Sequence, residues 1–444
     1  MPDPASEPAP IRWILLATLV GAALRATGLD ARPLWMDEAL QVQVSHSADL
    51  LEAIRTQDLH PPLLTLLLSV VPASAPDALH RLPSWLASVA CIPLAGWAAW
   101  RWSGADAARW AVWLAALLPT WVLYGAEARP YALGLATTLA VLGAAAAPTV
   151  PLLTVAVALA ITTQYGTWPV AACALIVAAR ARALPTAVAT LVATVVGAVL
   201  ALTILVPQQH HQAAGLSTGY LAPWFWNTDD VLWFTLTRTC ELLGYLVTGT
   251  TGALGFLIGS LLANLIFCVR MDRLTALALA PLMLFWLLAG LGLHPYGGLR
   301  QLLVLSPAFL LWTSASLGPA TPVRLPILAI PLLVLWARHP GLPVEDMPCV
   351  VAAMDEAPRL ADAGARFAVA HYGGEPDNTW PWKRDQALID ATWEERPRER
   401  TWLLLTTSRR PSINAWLDAW TEDGGRLGQE IQCTGAAAIE LLPP

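Results

Sequence analysis

Lysine is almost missing from these 444 residues: Lys383 stands alone against 25 arginines. Charge of either sign is scarce too. Asp, Glu, Lys and Arg make up 13% of the chain, about half the share of an average soluble domain. The shortage is local. Residues 1–337 hold 15 basic and 15 acidic side chains, and residues 338–444 hold 11 and 17. The first part therefore reads as membrane and the second as an ordinary water-soluble domain, which also carries the whole net charge of −6. No basic stripe marks a nucleic-acid surface, so no nucleic-acid partner is expected. The six cysteines show no C-x-x-C or other metal spacing. Cys91, Cys173 and Cys268 lie in apolar runs and read as buried structural thiols. The first apolar run has no basic segment before it and no A-x-A site ahead of Arg25, so cleavage as a signal is not expected.

Apolar residues fill the gap, at 56% of the chain with 22 tryptophans. A bilayer-crossing helix needs about 17–25 such residues. Runs of this kind fall near 11–29, 84–102, 107–125, 131–147, 149–165, 168–180, 184–206, 252–270, 273–293, 300–318 and 323–337. The fold class expected is mainly α: a polytopic transmembrane bundle of about eleven spans over residues 1–337, then a small soluble α/β domain over 338–444. Arg12, Arg101, Arg109, Arg180, Arg182, Arg270, Arg273 and Arg324 all fall on one side if the N-terminus is cytoplasmic, as the positive-inside rule requires. Eleven crossings put the C-terminal domain outside. The segment 231–251 reads either as a further span or, given Arg238 and Glu241, as an interfacial helix. A further span would move that domain inside.

Within the domain, Ala365–Tyr372 and 401–407 read as buried strands. Residues 413–420 read as an amphipathic helix, and 431–442 as a last strand pair or extended piece. Outside the membrane disulfides are permitted. Cys349 and Cys433 are the only cysteines of the domain, and they are expected to pair.

Charged groups at a bilayer face mark candidate sites. Five blocks fall on the outer side of this topology. Leu34-Trp35-Met36-Asp37-Glu38-Ala39 brings two carboxylates just after the first span, though Asp37 also suits a helix N-cap. Asp58-Leu59-His60-Pro61-Pro62-Leu63 places an acid and an imidazole before a proline-started helix. Tyr124-Gly125-Ala126-Glu127-Ala128-Arg129-Pro130-Tyr131 fills a short turn, where Glu127 and Arg129 could also be a plain surface pair. Gln164-Tyr165 ends the fifth span. His294-Pro295-Tyr296-Gly297-Gly298-Leu299-Arg300-Gln301 joins spans nine and ten. A cleft lined by these groups suits an anionic lipid-linked substrate: an arginine clamps the phosphate while a carboxylate deprotonates an acceptor hydroxyl.

These blocks resemble the GT-C glycosyltransferase superfamily, in the branch related to protein O-mannosyltransferases and lipid A aminoarabinose transferases. The resemblance rests on Leu34 to Ala39, Asp58 to Leu63, His80-Arg81-Leu82-Pro83-Ser84, Glu127 to Leu133 and Thr163-Gln164-Tyr165, in the family's order. Gln164 stands where relatives often carry His, and Leu64 and Thr65 replace the aromatics that usually follow His-Pro-Pro-Leu. Beyond residue 170 the likeness is only general.

The resemblance implies transfer of a sugar from a polyprenyl-phosphate donor to a lipid, glycan or protein acceptor at the outer face of a bacterial inner or plasma membrane, with inversion at the anomeric carbon. It implies Asp37 as catalytic carboxylate with Glu38 beside it, and Arg129 and Arg300 on the donor phosphate. Asp58, His60, Glu127, Tyr131, Gln164, Tyr165 and His294 would line the substrate pocket. No cofactor is called for, and a divalent metal stays open because no ligand set stands out. Two other classes compete: a transporter or flippase of a lipid-linked sugar, and a catalytically dead scaffold. Such transporters often show internal repeats and none is found here. Intact Asp37, Glu38 and Arg129 speak against the scaffold.

Overall fold

The computed structural model describes residues 8–56, 60–146, 149–180, 221–226, 230–249, 251, 253–267, 272–317, 330, 332, 345–362, 365–372, 376–380, 392, 394, 396–406 and 411–444. Asp58, Cys268, the run 184–206 and nearly all of 323–337 lie outside them. The chain forms two compact units. One comprises residues 1–29, 48–72 and 79–340, the other 30–47, 73–78 and 341–444.

The first unit is helical. Among the described residues, two helices are both long and apolar enough to cross a membrane, Asp77–Ser103 with 27 residues and Arg273–Gly290 with 18. At 1.5 Å per residue they reach about 40 and 27 Å, against a hydrocarbon core of about 30 Å. Shorter apolar helices follow at Tyr131–Ala146, Pro151–Ile161 and Thr167–Ala178. The run 107–125, expected as one span, is two helices, Ala105–Leu117 and Pro119–Tyr124. Leu118 leaves the helical region (φ −58°, ψ 119°), as the residue before a proline tends to do. The run 300–318 likewise divides into a 3-10 helix, Arg300–Leu305, and an α-helix, Ser306–Ser316, with Pro307 in its first turn. The segment around 231–251 is an 18-residue helix, Val231–Thr248, capped by Asp230 and carrying an Arg238–Glu241 pair at 2.6 Å. It meets Ala253–Phe267 so closely that a Cβ on Gly244 would fall 1.7 Å from the Gly255 carbonyl oxygen, so only glycine allows the crossing.

A buried arginine fastens this unit. Arg25, near the end of the Ile11–Ala26 helix, is fully buried. Its guanidinium donates to Ser88 Oγ at 2.6 Å, Ala115 O at 2.7 Å, and Gly21 O and Ala116 O at 3.0 Å each. Ala115 and Ala116 end the Ala105–Leu117 helix, whose last carbonyls have no partner within the helix. A cation at a helix C-terminus is also favoured by the helix dipole.

The second unit is an α/β sandwich. Strands β1 (Arg359–Asp362), β2 (Asn378–Trp380), β3 (Thr401–Thr406), β4 (Arg426–Cys433) and β5 (Ala436–Leu442) form one sheet in the order β2-β1-β3-β5-β4. The first three are parallel, and β3-β5-β4 are antiparallel. Side chains alternate across a strand, so Trp402 and Leu404 face the helices Met347–Ala353 and Ala365–Tyr372 while Leu403 and Leu405 face Pro411–Glu422.

The helix at 411–422 and the strand pair at the C-terminus match the sequence reading, as does the strand at 401–406. Ala365–Tyr372 does not: it is a helix, not a strand. Its apolar run hid a helical period, because Ala365, Ala368 and Val369 bury one face at spacings of three and four. Cys349 and Cys433 form a disulfide with Cα atoms 6.2 Å apart, tying Met347–Ala353 to the end of β4. The Met36–Ser45 helix also belongs to this unit: Leu34, Ala39 and Val42 pack with Phe367 and Tyr372.

Candidate functional site

In the first unit, four turns converge. The Leu63–Leu68 helix is fixed at its start by a bond from Leu63 N–H to Thr162 O at 2.9 Å, which joins the His60 loop to the turn after Val150–Ile161. Ser84 Oγ donates to Arg129 O at 3.0 Å and holds the turn between Pro119–Tyr124 and Tyr131–Ala146. Arg129, 6% exposed, then donates from Nη2 to His60 Nε2 at 3.0 Å. A guanidinium has no acceptor, so His60 is unprotonated at Nε2. Burial first, and then the charges of Arg129 and Arg300, hold its pKa well below the ordinary histidine value.

Tyr131 is the centre of the cluster. The Arg300 guanidinium lies 5.7 Å from its ring centre, and the rings of His60 and Tyr124 meet it edge-on at 6.2 and 5.3 Å. The Tyr124 hydroxyl shares a hydrogen bond with Tyr245, from the Val231–Thr248 helix. Glu127 is buried in the same turn as Arg129. Gln164 donates from Nε2 to Gln301 O at 3.0 Å, and a Cβ on Gly134 would fall 2.8 Å from Gln164 Oε1. The turn after the fifth run is thereby joined to the Arg300 segment. Tyr165 packs its ring on Trp168.

His294 is fixed by its own neighbours. Its ring meets Phe285 at 4.8 Å, and Nδ1–H donates to Pro295 O at 2.8 Å. Burial lowers its pKa to about 4.

Asp37 and Glu38 belong to the second unit, in the first turn of Met36–Ser45. The N-cap is Trp35, so Asp37 sits inside the helix. The capping carboxylate is Glu38, which accepts from Trp35 N–H at 3.3 Å and from Arg32 Nη1 at 2.6 Å, fully buried. Asp37 is half-buried.

Tyr245 escaped the sequence reading, and a tyrosine in an apolar helix was its available signal. Gln301 stands in the fifth block but was given no role there. Among the described residues no cluster of three or more His, Cys, Asp or Glu is placed to hold a metal ion.

No protein-family model matches this chain, and no curated protein matches it in sequence. Its fold does have solved counterparts. It is similar to ArnT from Cupriavidus metallidurans bound to undecaprenyl phosphate, with a TM-score of 0.57 and 13% identity over 97% of this chain and 98% of that one. It is also similar to the Archaeoglobus fulgidus oligosaccharyltransferase in its apo form, with a TM-score of 0.50 and 9% identity over 91% of this chain and 71% of the other. Both are GT-C superfamily glycosyltransferases. The chain therefore shares its fold with these two proteins.

Proposed function

We propose that this chain is an integral membrane glycosyltransferase that moves a sugar from a polyprenyl-phosphate carrier to a lipid, glycan or protein acceptor at the outer face of a bacterial membrane. One observation carries the reading most of the way. Two guanidiniums, Arg129 and Arg300, meet around Tyr131 and His60 in a fold shared almost end to end with a protein holding undecaprenyl phosphate. An arginine pair suits a phosphate because each guanidinium offers several donors in a fixed plane.

In this reading Asp37 accepts the proton of the acceptor hydroxyl. That oxygen attacks the anomeric carbon from the side opposite the carrier, the bond from that carbon to the phosphate oxygen breaks, and the configuration inverts. The departing phosphate gains negative charge, which Arg129 and Arg300 offset. His60 stays neutral and orients Arg129 through Nε2. Glu38 steadies the loop, since its carboxylate is committed to Arg32 and the helix cap. Gln164, Glu127 and His294 line the substrate pocket. The first 337 residues cross the membrane about eleven times, with the C-terminal domain outside.

Mass spectrometry of envelope glycans in a strain lacking this chain tests the reading. One sugar modification should disappear and return with the wild-type chain. An unchanged glycan profile would remove the proposal.

A further inference from the structure

The backbone just before Asp37 is held at three successive amides, all within the second unit. Leu34 N–H donates to the Tyr372 hydroxyl at 2.5 Å and approaches Asp77 Oδ2 at 3.2 Å; the same hydroxyl donates to Asp77 Oδ2 at 2.6 Å. Trp35 N–H donates to Glu38 Oε2. Met36 N–H donates to Glu345 Oε2 at 2.8 Å. Two of these acceptors lie 309 and 338 residues away in sequence.

Glu345 is itself anchored. It is 4% exposed, and its neighbour Asp346 donates N–H to Thr434 O at 2.8 Å and caps the helix that carries the Cys349–Cys433 disulfide. Tyr372 ends the Ala365–Tyr372 helix and packs against Leu34, Ala39 and Val42. Apolar packing alone would dock the Met36–Ser45 helix. Fixing amides one by one does more: it sets the rotation of the first turn, and hence the direction of the residue that follows the third held amide. That residue is Asp37.

We propose that Tyr372 and Glu345 are positioning residues for Asp37. This rests on Asp37 being the base. Misplacing a catalytic group by about 1 Å costs about 100-fold in rate, so losing one acceptor should slow transfer without weakening the donor.

The test uses the full chain returned to a strain that lacks it, with the missing envelope sugar quantified per amount of membrane-inserted protein. Binding of undecaprenyl phosphate to each purified variant is measured in parallel. Glu345→Met keeps length and removes the acceptor, Glu345→Gln keeps an acceptor oxygen, and Tyr372→Phe removes one hydroxyl while keeping the ring. Glu345→Met and Tyr372→Phe should lower the transfer rate about 10- to 100-fold, with the Kd for undecaprenyl phosphate within about twofold of wild type. Glu345→Gln should restore most of the rate. Hydrogen exchange should quicken over residues 34–36 in the two impaired variants while β3 and β5 stay protected.

Wild-type rates in both, alongside an inactive Asp37→Asn, would overturn the positioning role and leave the base in place. A Glu345→Gln as slow as Glu345→Met would overturn it too, because an acceptor oxygen would not be what matters. An active Asp37→Asn, or a deletion strain with an unchanged glycan profile, would remove the base or the enzyme reading and this proposal with it.

Discussion

Replacing Arg129 with glutamine removes a charge from the Tyr131 cluster while leaving a donor for His60. In the wild type Arg129 is 6% exposed and bonded to His60 Nε2 at 3.0 Å, so salt screens its field less than that of a surface arginine. A hydrogen bond to a charged partner contributes about 1.5–3 kcal/mol. At 1.4 kcal/mol per tenfold change, that is about 10- to 150-fold in affinity. Arg129→Gln should therefore raise the Kd for undecaprenyl phosphate by about that factor, read by titration of the detergent-solubilised protein. Its thermal midpoint should stay within a few degrees of wild type, because a glutamine amide still donates to the imidazole. Arg129→Leu should bind as weakly and also lose stability, since the buried Nε2 acceptor then costs about 1–3 kcal/mol unpaired. A Kd within twofold of wild type in Arg129→Gln would refute the phosphate assignment. A matched fall in stability and affinity would mean that the residue only holds the turn.

Three further outcomes follow from the same structure. His60 has a folded-state pKa well below its ordinary value, so as pH falls below about 6.5 the unfolded chain binds a proton that the folded chain refuses, and stability falls; His60→Gln should flatten the midpoint's dependence between pH 8 and 5.5, and parallel slopes would contradict this. Cys349→Ser with Cys433→Ser opens a loop of 84 residues, for which the chain-entropy account gives at most about 4.6 kcal/mol; the double variant should unfold its C-terminal domain earlier on heating, and an unshifted transition would contradict this. Alkaline phosphatase fused after Pro444 should be active and a fluorescent protein there dark; the reverse would put the C-terminal domain inside and favour Val231–Thr248 as a span.

The sequence carried the turns better than the packing. His60, Arg129, Tyr131, Gln164 and Arg300 were legible because charged or polar groups at the ends of apolar runs have few reasons to be there, and the structure joins all five in one unit. The helix at Ala365–Tyr372 was misread because a continuous apolar run fits a buried strand as well as a helix, and only the burial of Ala365, Ala368 and Val369 shows the period. The grouping of residues 30–47 with the C-terminal domain was illegible for another reason. It depends on Met36–Glu345 and Leu34–Tyr372 bonds between residues more than 300 positions apart. Neither acceptor stands in a motif. Arg25 was likewise passed over, since its four bonds go mostly to backbone carbonyls that any sequence supplies.

The most direct test of the account is single-turnover sugar transfer by the purified chain in proteoliposomes. It uses a panel of undecaprenyl-phosphate-linked sugars, an envelope extract as acceptor, and Asp37→Asn beside the wild type. The account predicts that the wild type consumes one donor and releases undecaprenyl phosphate. Asp37→Asn, which keeps the side chain's shape but not its basicity, should be slower by about 10²–10⁴-fold with donor binding intact. Transfer by Asp37→Asn at the wild-type rate, or a wild type that consumes no donor in the panel, would contradict it.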